Sequence, residues 1–414
     1  MMSNNIAIPN DGHKSAHPIV FLFLVLPFGI VSGYATITLG YLLSTNGVSV
    51  EAIATLAGAS LIPSVIKFLW APLVDTTFSL KKWYIASAIM SAAGLLAIGL
   101  IPAKESSLSV LFLVIFLANI AVSFLGIVTN ALAAYDTPEE LKGRVGGYSQ
   151  AGNLGGGGLG GGIGLLLALH YSNFIATAIL GAACLLCCFG LFFIKEPVST
   201  LKAEKPLKTI ENLFKDLWIT GKSRLGFLAI FLCFLPLGTG AASNLWSAVA
   251  TDWHASADTV AFATGIFGGI ITAVGCLIGG WLCDRMNRQV SYLVFGLVQA
   301  VAAVSMAYSP HTEIMYIFWT SFYAFSLGFC YASFSAFVFE AIGKGAAATK
   351  FTVYACLSNA PIYYMTLIDG WAHAHYGPTG MLSVEAIMGV IGVILFFGLM
   401  KYVHSRPLTV AVEK

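Results

Sequence analysis

Charged side chains are scarce in this sequence. Asp, Glu, Lys and Arg make up 10% of the 414 residues, whereas soluble globular domains carry about 25%. Hydrophobic residues make up 58%. This composition excludes an ordinary soluble domain. The formal net charge of +2 gives no basis for a nucleic-acid partner.

Long polar stretches are also few, and apolar runs of about 20 residues, the length that spans a bilayer, recur along the chain. Helices are expected because lipid offers the backbone no hydrogen-bond partners and the runs lack the alternation of barrel strands. The sequence therefore predicts an all-α, multi-pass membrane protein embedded in a lipid bilayer. Its twelve transmembrane helices are expected at about residues 18–43, 52–73, 83–103, 107–134, 145–169, 173–194, 226–250, 257–283, 289–309, 312–343, 348–371 and 379–402.

A cleavable signal peptide and a disulfide framework are not expected. The first 17 residues are polar, and the apolar run after them is too long for the core of a signal peptide. All eight cysteines lie inside predicted spans, where small packing residues are favoured over metal ligands or disulfides. His373 and His375 lack further ligands nearby, so an interfacial role is favoured. The sequence predicts neither a metal site nor a cofactor.

The basic residues are distributed unevenly. All 21 Lys and Arg except Lys67 and Lys104 fall on the side of the membrane that holds the N-terminus. Cytoplasmic loops carry an excess of Lys and Arg. Both termini are therefore expected in the cytoplasm, which agrees with an even number of spans.

The longest polar loop divides the spans six and six. It predicts an N-terminal half (1–194), a cytoplasmic linker (195–225) with an amphipathic helix at 206–219, and a C-terminal half (226–414). Leu26-Pro27-Phe28-Gly29 recurs 209 residues later as Leu235-Pro236-Leu237-Gly238, and the same offset carries Asp75 onto Asp284. A shared offset favours two parallel repeats related by an axis along the membrane normal.

Gly280-Trp-Leu-Cys-Asp284-Arg285-Met-Asn-Arg288 resembles the signature G-x-x-x-D-R-x-x-R that major facilitator transporters carry between spans 8 and 9. The first half has a degraded copy that ends at Asp75 and is followed by Lys81 and Lys82. We expect these acids and bases to form a cytoplasmic gate that is paired when the protein faces outward and broken when the cytoplasmic side opens. An ordinary helix-ending turn is the alternative.

A phosphate-binding loop is not expected either, although the stretch GNLGGGGLGGGIG at 152–164 contains nine glycines. No Gly-Lys-Ser/Thr follows it, and no acidic residue comes about 20 residues later. Gly152, Gly156, Gly160 and Gly164 instead form an i, i+4 ridge within span 5. Such ridges let two helix backbones touch in lipid.

Charges inside spans are functional candidates because they are rare there. Lys67 is expected either to snorkel to the headgroups or to contact the substrate or gate. Glu340 is expected to pair with Lys344. Asp369, near the outer end of span 11, is the preferred site of proton coupling, with Glu340 and Glu385 as the other candidates.

Polar and aromatic side chains are expected to line a central cavity. Such a cavity suits a bulky, partly apolar solute better than a small ion. The residues in this group are Asn130, Tyr148, Asn153, Asn244, Tyr331, Tyr354, Asn359 and Tyr363.

Three segments resemble the AmpG-type branch of the major facilitators, which includes muropeptide permeases, siderophore importers and acetyl-CoA transporters. They are Ser32-Gly33, Lys67-Phe-Leu-Trp-Ala-Pro-Leu-Val-Asp75 and Ala347-Ala-Thr-Lys-Phe351. The resemblance implies a bacterial inner-membrane carrier, typically a proton-driven importer. Gly126 and Asn130 stand where members of the branch carry acids in span 4, and muropeptide permeases are often longer. The siderophore-importer type therefore fits better.

The sequence thus predicts a secondary active transporter, a monomer working by alternating access, that imports a bulky siderophore-like or peptide-like small molecule with protons. Two alternatives stay open. One is a membrane sensor on a transporter scaffold, and the other is a facilitator or exporter without proton coupling. An enzyme is not expected, because no nucleophile–base pair, metal cluster or nucleotide site is evident.

Overall fold

A computed structural model describes residues 15–138, 141–195, 215, 223–342 and 347–405. Within these ranges the chain is helical and contains no strand. Ten helical segments are long and apolar enough to cross a membrane, and one of them, Thr352–Val403, holds two spans joined at a kink. An interrupted helix after residue 223 supplies the remaining span. The prediction of twelve transmembrane helices is confirmed.

Six spanning helices precede the linker region. They are α1 (Ile19–Thr45), α2 (Val50–Leu69, with a short continuation Ala71–Thr76), α3 (Leu80–Leu100), α4 (Leu108–Asp136), α5 (Arg144–His170) and α6 (Asn173–Phe193).

Six more follow it. They are α7 (Arg224–Leu232, resuming at Ala241–Leu245, Trp246–Val249 and Ala250–Trp253), α8 (Ala257–Cys283), α9 (Arg288–Ala307), α10 (Glu313–Ile342), α11 (Ala347–Leu357 and 359–376) and α12 (378–405). The amphipathic helix predicted at 206–219 lies outside the described residues.

Local sequence explains where several helices begin. Ser49, Ser172 and Ser223 each accept a hydrogen bond from a backbone N–H three residues later, at 3.3, 3.2 and 3.0 Å, and so cap α2, α6 and α7. Between α11 and α12, Gly377 has φ 67°, a left-handed conformation that suits glycine, and Pro378 follows it. A single residue therefore reverses the chain between the last two spans.

Successive helices run in opposite directions, so α1 begins and α2 ends at the same end of the bundle. We call this the basic end, because Lys82, Arg144 and Arg285 flank it, and we call the opposite one the far end. Helices α1–α6 pack mainly on one another, as do α7–α12. The two groups meet where α1 contacts α7, α2 contacts α11 and α5 contacts α8.

The glycine ridge of α5 packs against α1. A Cβ atom built on Gly152, Gly156 or Gly160 would lie 2.0 to 2.3 Å from a backbone oxygen of α1, and one on Gly164 would lie 2.9 Å from Thr38 Oγ1. Any side chain at the first three positions would therefore push the two helices apart. The ridge joins two helices of the same half.

Candidate functional site

The far-end parts of α1 and α7 are joined by serine hydroxyls. Ser247 Oγ donates to the carbonyl of Thr36 at 2.7 Å, and Ser44 Oγ donates to the carbonyl of Ala248 at 2.6 Å. Gly40 leaves room for this contact, since a Cβ there would lie 2.7 Å from Ser247 Oγ. These bonds connect the two halves directly.

A second connection between the halves joins α5 to α8. A Cβ on Gly162 would lie 2.6 Å from the carbonyl oxygen of Ala261, and one on Gly265 would lie 2.6 Å from Gly162 Cα. The contact falls where both helices widen into π-helical turns, Leu159–Ile163 and Val260–Ile266. Such turns are frequent at functional sites of helical proteins. This second glycine face of α5 was not foreseen from the sequence.

The third connection joins α2 to α11. A Cβ on Gly370 would lie 2.3 Å from the Cβ of Ala54, and one on Gly58 would lie 3.0 Å from the ring of Tyr363. Nearer the basic end, Cys356 of α11 lies beside the backbone of Phe68. Within the described residues, the halves therefore meet at three helix pairs toward the far end, namely α1–α7, α5–α8 and α2–α11. The α2–α11 pair also makes contact nearer the basic end.

The predicted gate lies at the basic end. Arg285 stacks over the ring of Trp281 at 3.8 Å and donates to the Trp281 carbonyl at 3.0 Å, while Asp284 is exposed. Gly280 has open space around it. No ion pair links described side chains of the two halves. The gate stays a prediction, because the side chain of Asp75 lies outside the described part.

Glu340 pairs with a base of the neighbouring helix α9. Its Oε2 lies 3.6 Å from Arg288, at the start of α9. The reason is topological: α9 begins at the basic end, where α10 finishes. Lys344, the expected partner, lies outside the described residues. Lys81 is partly buried and Lys82 is exposed at the same end.

Two carboxyl groups are buried side by side within the C-terminal half. Asp369 of α11 has no exposed surface, and Glu385 of α12 has 6%. The two groups lie next to each other. Tyr323 of α10 donates to Glu385 Oε1 at 2.6 Å, but no described donor reaches either oxygen of Asp369 or Oε2 of Glu385. No described cation pairs with this acid pair.

The acid pair borders a break in α7. The predicted span 226–250 is not a continuous helix, since residues 233–240 leave the helix with Gly238 at φ 62° and Gly240 at φ 69°. Both values require a left-handed conformation, and Pro236 lacks a backbone N–H. Tyr292 and Tyr364 donate to two carbonyls that the break leaves free, at 2.7 and 2.9 Å. Glu385 lies beside Ala242, where α7 resumes.

The structure brings Lys67 to the seam between the halves. Its Nζ lies 5.5 Å from the ring centroid of Phe28 in α1, and Cys356 of α11 lies beside it. The residue stands in a short 3-10 turn, Lys67–Leu69, near the end of α2. Its side chain therefore points into the bundle.

The remaining predicted cavity residues have mixed positions. Asn130 is exposed, and Tyr331 has 41% of its surface accessible although it lies deep among the helices. Tyr354 is buried inside the C-terminal half, where its hydroxyl donates to the Gly226 carbonyl at 3.4 Å. Asn244 donates to Thr366 Oγ1 at 3.0 Å and so links α7 to α11.

Three further residues complete this placement. Asn359 donates to the carbonyl of Ala355 in its own helix at 2.7 Å, and Asn153 is partly buried on α5. Tyr148 lines a pocket of about 440 Å³ at the basic end, together with His17 and Arg144. The predicted residues are therefore divided between the contact of the two halves, the interior of the C-terminal half and the pocket at the basic end.

Comparison with known proteins agrees with this architecture. Residues 20–362 match the Major Facilitator Superfamily. The chain is 24% identical to the anhydromuropeptide permease of Escherichia coli K12 over 342 residues, which cover 80% of this chain and 69% of the permease. Among solved structures, it is similar to the nucleoside transporter NupG (TM-score 0.71, 15% identity, 92% of this chain and 98% of that one). It is also similar to a D-xylose-proton symporter (TM-score 0.70, 15% identity, 92% and 97%).

Proposed function

Because the chain belongs to the Major Facilitator Superfamily, we propose that it imports a bulky small solute across the bacterial inner membrane by alternating access, driven by protons. The family consists of membrane transporters, so the chain is a multi-pass transporter and not an enzyme. The direction of transport, the driving ion and the solute are the parts that we propose.

The acid pair carries the proposal of proton coupling. Two carboxylates placed side by side in a low-dielectric interior repel each other strongly, so one proton held between them relieves the repulsion. The hydroxyl of Tyr323 already occupies one oxygen of Glu385, which leaves Oε2 and the two oxygens of Asp369 for that proton. Loss of the proton leaves two adjacent negative charges and favours a rearrangement of the surrounding helices.

The orientation follows from the basic end. Lys and Arg accumulate on cytoplasmic loops, so we assign the basic end to the cytoplasm and both termini with it. The three far-end connections then close the outer side in this state, and Asp284 lies on the cytoplasmic side without an ion pair to a described base. A solute held between the halves would leave inward from this state, as import requires.

We propose that the solute is bulky and resembles a siderophore or a peptide, including a muropeptide. A relative of the chain and two of its own residues support this. The permease of E. coli is named for anhydromuropeptides, and this chain spans about two thirds of its length. Asn130 and Tyr331 are exposed and offer polar groups that can bind such a solute. We propose that the transporter works as a monomer.

The test uses purified protein in liposomes with an inward proton gradient. Radiolabelled ferric siderophore, iron-free siderophore, muropeptide and acetyl-CoA are screened first by counterflow. With the solute that exchanges, Asp369→Asn and Glu385→Gln should each lower uphill uptake at least about tenfold and leave counterflow within about twofold, because neutralisation mimics the protonated pair. Asp258→Asn, which removes a carboxylate at the far-end start of α8, should change neither.

Each alternative has its own signature in this assay. Uphill uptake by the wild type that ignores an uncoupler would rule out proton coupling and leave a facilitator. A solute that binds without counterflow would indicate a sensor. If both acid variants accumulate solute normally, the proton is carried elsewhere, and Glu340 becomes the next residue to test.

A further inference from the structure

Lys67 is a charged residue within a span of the N-terminal half, and no described carboxylate pairs with it. The Nζ atom of Lys67 lies over the ring of Phe28, and no described carboxylate lies within 4 Å of it. Lys67 is partly buried, and an aromatic ring and a buried cysteine of the other half occupy part of its surroundings. The site therefore offers an attractive place for a negative charge.

The ammonium group of Lys67 lies beside residues well inside the neighbouring helices. Phe28 lies nine residues inside α1 and Cys356 nine residues inside α11, both counted from the basic end. Nine helical residues correspond to about 13 Å. Because Nζ contacts Phe28, it points into the bundle and not along its own helix toward the basic end.

The side of the Phe28 ring that faces α4 has room for a methyl group. On α4, Gly126 faces the ring of Phe28, and a Cβ there would lie 3.5 Å from that ring, an ordinary contact. Packing therefore does not require a glycine at this position, in contrast to Gly156, where a Cβ would overlap a backbone oxygen at 2.3 Å. Asn130, one helical turn further along the same face of α4, is exposed and adds an amide at the edge of this space.

The position relative to the halves also suits a solute. Phe28, Lys67 and Gly126 belong to the first half, whereas Cys356 belongs to the second. A group bound at Lys67 thus lies on the seam that must open and close during alternating access. A solute held here is contacted by both halves.

We infer that Lys67 binds an anionic group of the transported solute, a carboxylate or a phosphate, while the ring of Phe28 contacts the adjoining apolar part. The inference rests on the proposed transport function and adds the charge class of the solute. The ammonium is a compact point charge with three donors, so it can bind either anion. The solute supplies the counter-ion that the described chain does not.

The experiment measures binding to full-length protein in nanodiscs by isothermal titration calorimetry. Two matched pairs of probes differ in charge and not in body: N-acetylphenylalanine against its amide, and phenyl phosphate against phenol. The variants are Lys67→Gln, Lys67→Arg and the control Lys401→Gln. Lys401 also lies over a ring, that of Phe397 at 4.5 Å, but near the end of α12.

The charged member of at least one pair should bind at least about tenfold more tightly than its neutral partner in the wild type, in Lys67→Arg and in Lys401→Gln. Lys67→Gln should bind both members of that pair equally. The pair that shows the preference tells whether the site takes a carboxylate or a phosphate. A preference that survives in Lys67→Gln overturns the inference, as does equal or absent binding of all four probes to the wild type.

Failure of this inference differs from failure of the proposed function. Binding needs no proton gradient, so a negative result here leaves proton-driven uptake untouched. A transporter that ignores the gradient can still bind anions at Lys67. Variants that elute and melt like the wild type exclude misfolding as the cause of lost binding.

Discussion

At the scale of single residues, the two halves hold ionisable side chains of opposite type in their interiors, and none of them forms an ion pair with a described residue. Asp369 and Glu385 form the acid pair in the second half, and Lys67 lies in the first. Tyr323 gives the acid pair its one described side-chain donor. Hydrogen bonds to charged groups contribute about 1.5–3 kcal/mol each. Removing that donor should therefore disturb coupling more than it disturbs the fold.

Tyr323→Phe is expected to lower uphill uptake about tenfold relative to counterflow. Tyr316→Phe is the matched control, because Tyr316 is an equally buried tyrosine of α10 whose hydroxyl donates to the Trp246 carbonyl at 2.8 Å. The control should cost some thermal stability and leave the ratio of uphill uptake to counterflow unchanged. Equal ratios in both variants would mean that Tyr323 has only a packing role.

The acid pair also shows what sequence can and cannot predict for a residue. Asp369 is visible as a candidate because a charge inside an apolar run is conspicuous. Its pairing with Glu385 depends on the turn at Gly377, which lies eight residues from each and folds α12 back along α11. The buried tyrosine on α10 follows only from tertiary packing. The chain reversal could have been anticipated from Gly377-Pro378, but the partner on another helix could not.

At the scale of helices, α5 carries glycines on two faces that pack against different helices. Gly156 and Gly160 pack on α1 within the first half, whereas Gly162 packs on α8 across the seam. The i, i+4 spacing predicts the first face, since a ridge of one helix is a local pattern. The second face was missed because it becomes evident only with Gly265 of α8. The break in α7 was missed because hydropathy stays high through residues 233–240.

These two faces should respond differently to added bulk. Gly156→Leu or Gly160→Leu should lower the melting temperature and reduce transport far more than Leu166→Ala, because overpacking costs about 1–3 kcal/mol. Gly162→Val should leave the melting temperature closer to that of the wild type and still reduce transport, since it obstructs a contact made in one state. Thermal unfolding and counterflow, measured on the same preparations, compare the two effects. Full tolerance at Gly156 and Gly160 would contradict the packing seen here.

At the scale of the whole molecule, the contacts between the halves are unequally distributed. Serine and glycine contacts join them toward the far end, and described charges at the basic end make no ion pair across the seam. The apolar runs predict the twelve helices, and the twofold sequence repeat and the charge bias predict the two halves and their orientation. They do not predict which end is joined, because one sequence must support both states with a free-energy difference of only a few kcal/mol.

This asymmetry makes a distinct prediction for Asp284. The residue is exposed and makes no ion pair with a described base in this state, so Asp284→Asn should leave the far-end-joined state and its melting temperature unchanged. It should instead weaken the opposite state, in which the gate is paired, and lower uptake at least about tenfold. Asp75→Asn should do so less severely, because its copy of the motif is degraded.

The measurement is the distance between spin labels placed at the basic end through Phe78→Cys and Met286→Cys, two exposed positions in opposite halves that are not assigned to the gate. Two distances between the labels are expected when the gate residues are unchanged. The fraction of molecules with the shorter distance, in which the gate is paired, should fall in Asp284→Asn. A shift from an even mixture to about one in ten would correspond to roughly 1.4 kcal/mol, the size expected for a partly exposed charge pair. Lys81 shares this end of the bundle, so Lys81→Gln should shrink the same population if it is the partner of Asp284. An unchanged distance distribution together with normal uptake would remove Asp284 from the gate and leave the far-end contacts as the sole determinants of the conformational balance.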